Sequence, residues 1–201
     1  MIRIVPSLAI LAGALASSPA FADNFDGPYV GVQAGWSQNK VDTLNTSIGP
    51  VVIDNSHDEA TTGIFAGYNL KPTDKLVLSL EGSFNLGIDD AFIGGTTAIP
   101  TGFDPKYSFD VGARAGYLVN DATLLYLRGG YENLRAGVTR SDATNVAYDK
   151  DTFDGWSIGG GIERMIADRI STRIEYRYSD LGGDGEKFER HQALIGLAYH
   201  F

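Results

Sequence analysis

The last eleven residues, His191 to Phe201, alternate strictly between two kinds of side chain. Phe201, Tyr199, Leu197, Ile195 and Ala193 fall on one face; His200, Ala198, Gly196, Leu194 and Gln192 fall on the other. A period of two is that of a half-buried β-strand, whose successive side chains point to opposite faces. Two aromatic residues stand at the terminus, where most chains trail off into polar residues. One such strand cannot exist alone, so its meaning depends on what precedes it.

Seven more alternating stretches do. The first is 29–37, with Val30, Val32, Ala34 and Trp36 on one face; the second, about 61–69, carries Ile64, Ala66 and Tyr68. The third follows the Pro/Asp turn 71–74 and places Leu76, Leu78, Leu80, Phe84 and Leu86 opposite Ser79, Glu81 and Ser83. The fourth sets Tyr107, Phe109, Val111, Ala113, Ala115 and Tyr117 against Ser108, Asp110, Gly112, Arg114 and Gly116. The fifth has Leu125, Leu127 and Tyr131 against Arg128 and Glu132, and the sixth Trp156, Ile158 and Ile162 against Glu163. The seventh has Ile170, Ile174, Tyr176 and Tyr178 against Arg173, Glu175 and Arg177. Long connections (38–60, 87–105, 135–151, 180–186) alternate with short turns. Eight strands joined in that rhythm predict an all-β, antiparallel up-and-down barrel with elaborated loops at one rim.

The N-terminus reads differently. Arg3, an apolar stretch from Ile4 to Ala16 and Ala20-Phe-Ala22 make a signal-peptide pattern with cleavage expected after Ala22. The expected organisation is therefore a leader, 1–22, and one barrel domain, 23–201. Losing Arg3 with the leader takes the formal charge from −9 to −10. That acidity argues against a nucleic-acid partner, and the absence of Cys removes disulfides and thiolate metal sites. A mean hydropathy of −0.08 is compatible with a barrel, whose apolar residues are spread over alternate positions.

Which face meets lipid follows from the charges. The apolar face of each central stretch has none, whereas the other holds Glu81, Lys106, Asp110, Arg114, Arg128, Glu132, Glu163, Arg173, Glu175, Arg177 and Arg190. Six basic and five acidic groups in a low-dielectric interior predict a paired, lumenal ion network. A soluble barrel would instead have to crowd nearly all the aromatics into one small lumen. Sorted by height, Tyr68, Tyr117, Tyr199 and Phe201 fall near the short-turn rim. Phe84, Tyr107, Phe109, Tyr131, Trp156, Tyr176 and Tyr178 fall toward the long-loop rim. Two aromatic girdles around an aliphatic band are what two membrane–water interfaces select. Inward Gly67, Gly116 and Gly130 are expected either to leave room for large neighbouring side chains or to mark a bulge or bend.

Four segments carry a family resemblance: Gly27–Trp36, Leu80–Gly82, Glu175–Tyr178 and Gly196–Phe201. Together they resemble the small outer-membrane β-barrel (porin-family) proteins of α-proteobacteria and, more distantly, the membrane domain of OmpA. The resemblance implies residence in the outer membrane of a Gram-negative envelope, among lipid and lipopolysaccharide. It implies that Leu197, Tyr199 and Phe201 form a signal read by the barrel-assembly machinery. It also implies surface contact or haem binding for some members, while cell-wall anchoring through a periplasmic domain is not expected here.

The function expected first is structural, supporting the envelope and displaying surface loops. The alternatives are a small gated channel and loop-mediated binding of a ligand such as haem or of a host surface. Water-filled pores need about sixteen strands, whereas eight leave an interior that side chains fill. His57, Asp58 and Glu59 in the first loop, and Asp180, Asp184 and Glu186 in the fourth, are candidate ligands without a recognisable metal-binding spacing. Ser179 and Asp180 form no compact motif with His191, so neither catalysis nor a cofactor is expected. The oligomeric state is left open.

Overall fold

In a computed structural model the chain forms a closed antiparallel barrel, described for residues 25–46, 49–87, 92–96, 99–141, 146–182 and 187–201. Within those ranges the side chains of 41–57, 92–106, 136–151 and 187 are not among the described ones. The expected leader, 1–22, lies outside the described residues.

Nine segments build the wall: β1 (Gly27–Thr46), β2 (Gly49–Leu70), β3 (Leu76–Gly87), β4 (Phe92–Thr96), β5 (Ile99–Asn120), β6 (Thr123–Ser141), β7 (Val146–Ala167), β8 (Ile170–Asp180) and β9 (Lys187–His200). Neighbours follow the chain, β1 pairs with β9, and β3 pairs with β5 to close the ring. The β4 segment pairs with β5 at Phe92↔Phe103 to Thr96↔Ile99, beyond the β3–β5 ladder that ends at Leu86↔Tyr107. It therefore extends the wall of β3, and the barrel has eight walls made of nine segments. Closure pairs every wall on both sides, which a backbone in lipid requires.

Three of the expected long loops are largely strand. The β1–β2 ladder runs from Gly27↔Asn69 to Thr46↔Gly49, and β6–β7 from Thr123↔Arg164 to Ser141↔Val146. The stretch 87–105, read as loop, contains β4 and the start of β5. Hydrophobic alternation reports where one face meets lipid. Above that level both faces are wet, the alternation disappears, and the backbone ladder continues without it. The short turns are tight: Thr73 Oγ1 accepts from the Leu76 N–H at 3.1 Å, and Asn120 Oδ1 from the Ala122 N–H at 3.0 Å. A bulge in β5 falls between Pro105 and Tyr107, where proline withholds a ladder donor. It displaces Lys106, an expected lumenal charge whose side chain is outside the described ones.

Outward positions are aliphatic or small around the middle of the barrel; inward positions are buried. The interior is less uniformly polar than the sequence suggests. Phe25, Val77, Leu118, Leu124, Tyr126 and Met165 pack together at the short-turn end. Toward the other end Leu134, Phe153, Leu181 and Phe188 are buried, with the two Phe rings stacked at 5.8 Å. Polar residues occupy the space between these two apolar layers.

Candidate functional site in the barrel lumen

Each wall contributes every second side chain to the lumen, so charges far apart in sequence meet there. Nearest the short turns, Arg114 on β5 bridges Glu81 on β3 at 3.0 Å and Glu163 on β7 at 2.7 Å. Arg173 on β8 reaches the same Glu81 at 2.5 Å and Gln33 at 2.9 Å. The Tyr29 hydroxyl donates to Glu81 at 2.9 Å. The guanidinium of Arg173 lies 3.6 Å from the centroid of the Phe65 ring, and that of Arg114 lies 3.9 Å from that of Tyr126. Planar guanidinium groups stack on rings while their edges bond carboxylates, which lets arginine fill this space.

The next layer is a ring of four charges. Arg128 pairs with Asp110 at 2.6 Å and with Glu175 at 3.3 Å. Arg177 pairs with Asp110 at 2.5 Å and with Glu175 at 2.6 Å. Tyr126 donates to Glu175 at 2.8 Å, and Ser83 donates to Asp110. Above it, Arg190 pairs with Glu132 at 2.9 Å and Glu59 at 3.4 Å, and donates to Ser37 and Ser108. Ser179 donates to Glu132. All nine residues proposed for the lumenal network lie in these three layers and are buried.

Five arginines and six carboxylates pair here among the described residues, rather than six basic and five acidic groups. The Lys106 side chain lies outside the described ones, and Glu59 is added. It sits in a stretch without apolar alternation and reads as loop, yet it belongs to β2 and points inward. Tyr29, Gln33, Ser83, Ser171 and Ser179 also join the network. Their signal was available in the parity of their strands, but neutral polar residues carry no charge to draw attention.

Glycines shape the space. A Cβ on Gly67 would meet the Tyr29 ring, one on Gly116 would meet Leu124 and Tyr126, and one on Gly161 would lie 2.7 Å from the Tyr126 hydroxyl. Gly67 and Gly116 thus accommodate large side chains. Gly130 instead faces backbone: its nearest neighbours are backbone atoms of Val111 and Gly112 on the adjoining strand.

His200 lies 3.0 Å from Ser171 Oγ through Nε2, and the same nitrogen is 3.3 Å from Glu163. Ser171 itself donates to Glu163 at 2.6 Å. In a hydrolytic triad the carboxylate and the serine engage opposite ring nitrogens. Here both crowd Nε2, Nδ1 has no partner, and Phe25 lies edge-on to the ring at 5.8 Å. The arrangement is a hydrogen-bonded anchor rather than an activated nucleophile.

Outside, Tyr68, Tyr117, Tyr199 and Phe201 project at the short-turn end, where Tyr199 and Phe201 meet edge-to-face at 5.1 Å. Leu197 also faces outward on the same strand. Phe84, Phe109, Tyr131, Trp156 and Tyr176 project toward the other end, with Tyr107 and Tyr178 partly covered. Trp156, Tyr178, His191 and Tyr176 form a continuous row, joined by a 2.7 Å bond between Tyr176 and His191. Of the loop candidates, Asp58 accepts from Gln38 at 3.1 Å outside while Glu59 points into the lumen, so the pair is split by the wall. Asp180 accepts from the Gly182 N–H at 3.3 Å. The His57 side chain, Asp184 and Glu186 lie outside the described residues. Among the described residues no group of three metal-capable side chains occurs.

A family model described as outer membrane protein beta-barrel domain matches residues 7–201. The 25 kDa outer-membrane immunogenic protein of Brucella ovis is 31% identical over 185 residues, covering 90% of this chain and 79% of that protein. Outer membrane protein A of Escherichia coli is 26% identical over 182 residues, covering 86% of this chain and 47% of that protein. Among solved structures, Neisserial surface protein A aligns over 88% of this chain and 98% of its own at 17% identity, with a TM-score of 0.58. Ail, the attachment invasion locus protein of Yersinia pestis, aligns over 88% and 99% at 15% identity, with a TM-score of 0.54. These two structures speak to fold alone.

Proposed function

Because this chain belongs to the outer membrane protein beta-barrel domain family and is an outer-membrane barrel, we propose that it is a structural element of the envelope, a sealed anchor that holds stiff hairpins above the membrane. The observation that carries this reading is the lumen. Three layers of paired charges, bounded by apolar layers toward both ends, fill the space a solute would need. Removing one member leaves its buried partners short of a counter-charge, a change worth up to roughly 3–5 kcal/mol, so the filled state strongly resists opening.

The test is conductance of the chain in a planar bilayer. Silence is expected across both polarities. Steady conductance that changes with Arg114→Ala or Glu81→Gln would overturn the sealed reading and make the lumen a transport path.

A second reading, binding at the surface hairpins, is favoured by strand length. Membrane strands need about 9–11 residues, whereas β1 and β2 have 20 and 22. At about 3.4 Å per residue the excess projects on the order of 30 Å as a paired ribbon. Lipopolysaccharide at the upper belt and the barrel-assembly machinery at Leu197, Tyr199 and Phe201 are the partners this reading and the first share. Shortening the β1–β2 hairpin to the level of Trp36 and Ala60, which pair across the ladder, separates the two. Loss of surface binding with an intact barrel supports display; no change in binding removes that role.

A further inference from the structure

Among the described cations, those of the lumen and three at the short-turn rim are held in different ways. Each lumenal arginine has a carboxylate partner. On the outer surface at the short-turn end, Lys75, Arg164 and Arg169 are exposed, and among the described residues none of them has a carboxylate partner. This holds in a chain of net charge −9, with Asp74, Asp121 and Asp168 in the very turns at that rim.

Two of the three are held against girdle tyrosines instead. Arg169 donates to the Tyr199 hydroxyl at 3.3 Å, and Lys75 Nζ lies 5.7 Å from the centroid of the Tyr117 ring. Tyrosines of this belt mark the membrane–water interface, so both cations stand at headgroup depth. Arg164 is placed more tellingly. It projects from the outer face of β7 between Ile162 and Ile166, which are themselves exposed to the membrane. A lone cation on a lipid-facing strand is destabilising unless its head reaches an anion or water at the interface. A guanidinium flanked by isoleucines, next to the belt, has the reach and the donor geometry to take a phosphate oxygen pair.

We propose that Arg164, together with Arg169 and Lys75 at the Tyr199 and Tyr117 positions, forms a recognition surface for the phosphate of inner-leaflet phospholipids, preferring anionic headgroups. The short turns of such barrels face the periplasm, which places this belt in the phospholipid leaflet. The surface would fix the depth and tilt of the barrel from below, while the aromatic row does so from above. The inference rests on the barrel spanning the outer membrane and is independent of whether the lumen is sealed.

The test uses the whole protein in nanodiscs of equal phosphatidylcholine and phosphatidylglycerol, with retained lipid counted by native mass spectrometry. Phosphatidylglycerol is expected to be enriched, and Arg164→Gln to reduce that enrichment about fivefold, the effect of one basic group near a charged surface. Arg169→Gln, on an exposed turn, reads the same surface without altering the lipid-facing wall on which folding depends. Asp121→Asn, which alters the charge of the same rim by the same amount, is expected to leave the enrichment unchanged. Equal retention of the two lipids by the unmodified protein overturns the proposal. So does an increase with Asp121→Asn that mirrors the loss with Arg164→Gln, since net charge alone would then explain both. Displacement of the lipid by inorganic phosphate would assign the surface to free anions and overturn it as well.

Discussion

Arg173 and Glu81 stand on opposite walls of the barrel and meet at 2.5 Å. Their strands, β8 and β3, are four steps apart in either direction around the ring. The contact therefore crosses a full diameter, and the long arginine side chain occupies the axis of the lumen at that height. Its Cγ and Nε lie 3.0 and 3.1 Å from where a Cβ on Gly196 would sit, so the glycine on β9 makes room for the crossing.

Removing one end of this bridge should be costly and removing both should not. Arg173→Met is expected to lower stability by about 3–5 kcal/mol, because the buried Glu81 loses one of its two cationic partners. Pairing it with Glu81→Leu should recover much of the loss. Urea titration of the barrel refolded in lipid vesicles, read by the shift in gel mobility on unfolding, measures both. A double variant weaker than the single would contradict the account.

Sharing of Glu81 makes Arg114 and Arg173 interdependent. Their Gln variants are expected to combine non-additively, with a coupling of roughly 0.5–3 kcal/mol. Arg190, which pairs with Glu132 and Glu59 in the uppermost ionic layer, should add to Arg114→Gln within about 0.5 kcal/mol. A double-mutant cycle on the same titration distinguishes independent layers from one undivided network.

The lipid face should reject charge according to depth. Leu127, 72% exposed in the aliphatic band, is expected to lose about 2–4 kcal/mol on replacement by Arg. Val119, outward but at the short-turn end of β5, should lose no more than about 1 kcal/mol. Similar costs at both sites would mean that the apolar band does not lie at the bilayer centre.

Glycines divide in the same testable way. Gly161→Ala forces a methyl against the Ile174 carbonyl and onto the Tyr126 hydroxyl, which is tied to Glu175 at 2.8 Å and cannot swing clear. A loss of about 1–3 kcal/mol is expected, the usual range for overpacking. Gly82→Ala meets nothing closer than 3.7 Å and should be nearly neutral.

Phe201→Ser tests the assembly role of the terminus. The Tyr199 and Phe201 rings meet edge-to-face on the outer surface, and Arg169 donates to the Tyr199 hydroxyl. Stability after refolding should change little, whereas the amount reaching the outer membrane in cells should fall several-fold. Equal export of the variant would leave Phe201 as a girdle residue only.

Strand parity made most of this molecule legible. Eight walls, their antiparallel order, the lipid-facing set from Val30 to Phe201 and the inward charges from Glu81 to Arg190 all follow from a period of two and the absence of charge on one face. Parity fails where its physical cause fails. Above the membrane both faces of a hairpin are solvated, so the upper halves of β1, β2, β6 and β7 look like loop although their ladders continue. Glu59 was lost with them, and the bulge beside Pro105 shifts the count at Lys106.

Within the membrane-spanning stretches, sequence alone determined which residues face inward, because alternation is a local property of an extended backbone. It could not say which arginine meets which carboxylate. Arg173 finds Glu81, 92 residues away, only because closure of β3 onto β5 brings β3 and β8 to opposite ends of one diameter. The stagger of the walls then sets the height at which each side chain enters the lumen. Pairing across a barrel is a property of the closed ring, and no single strand contains it.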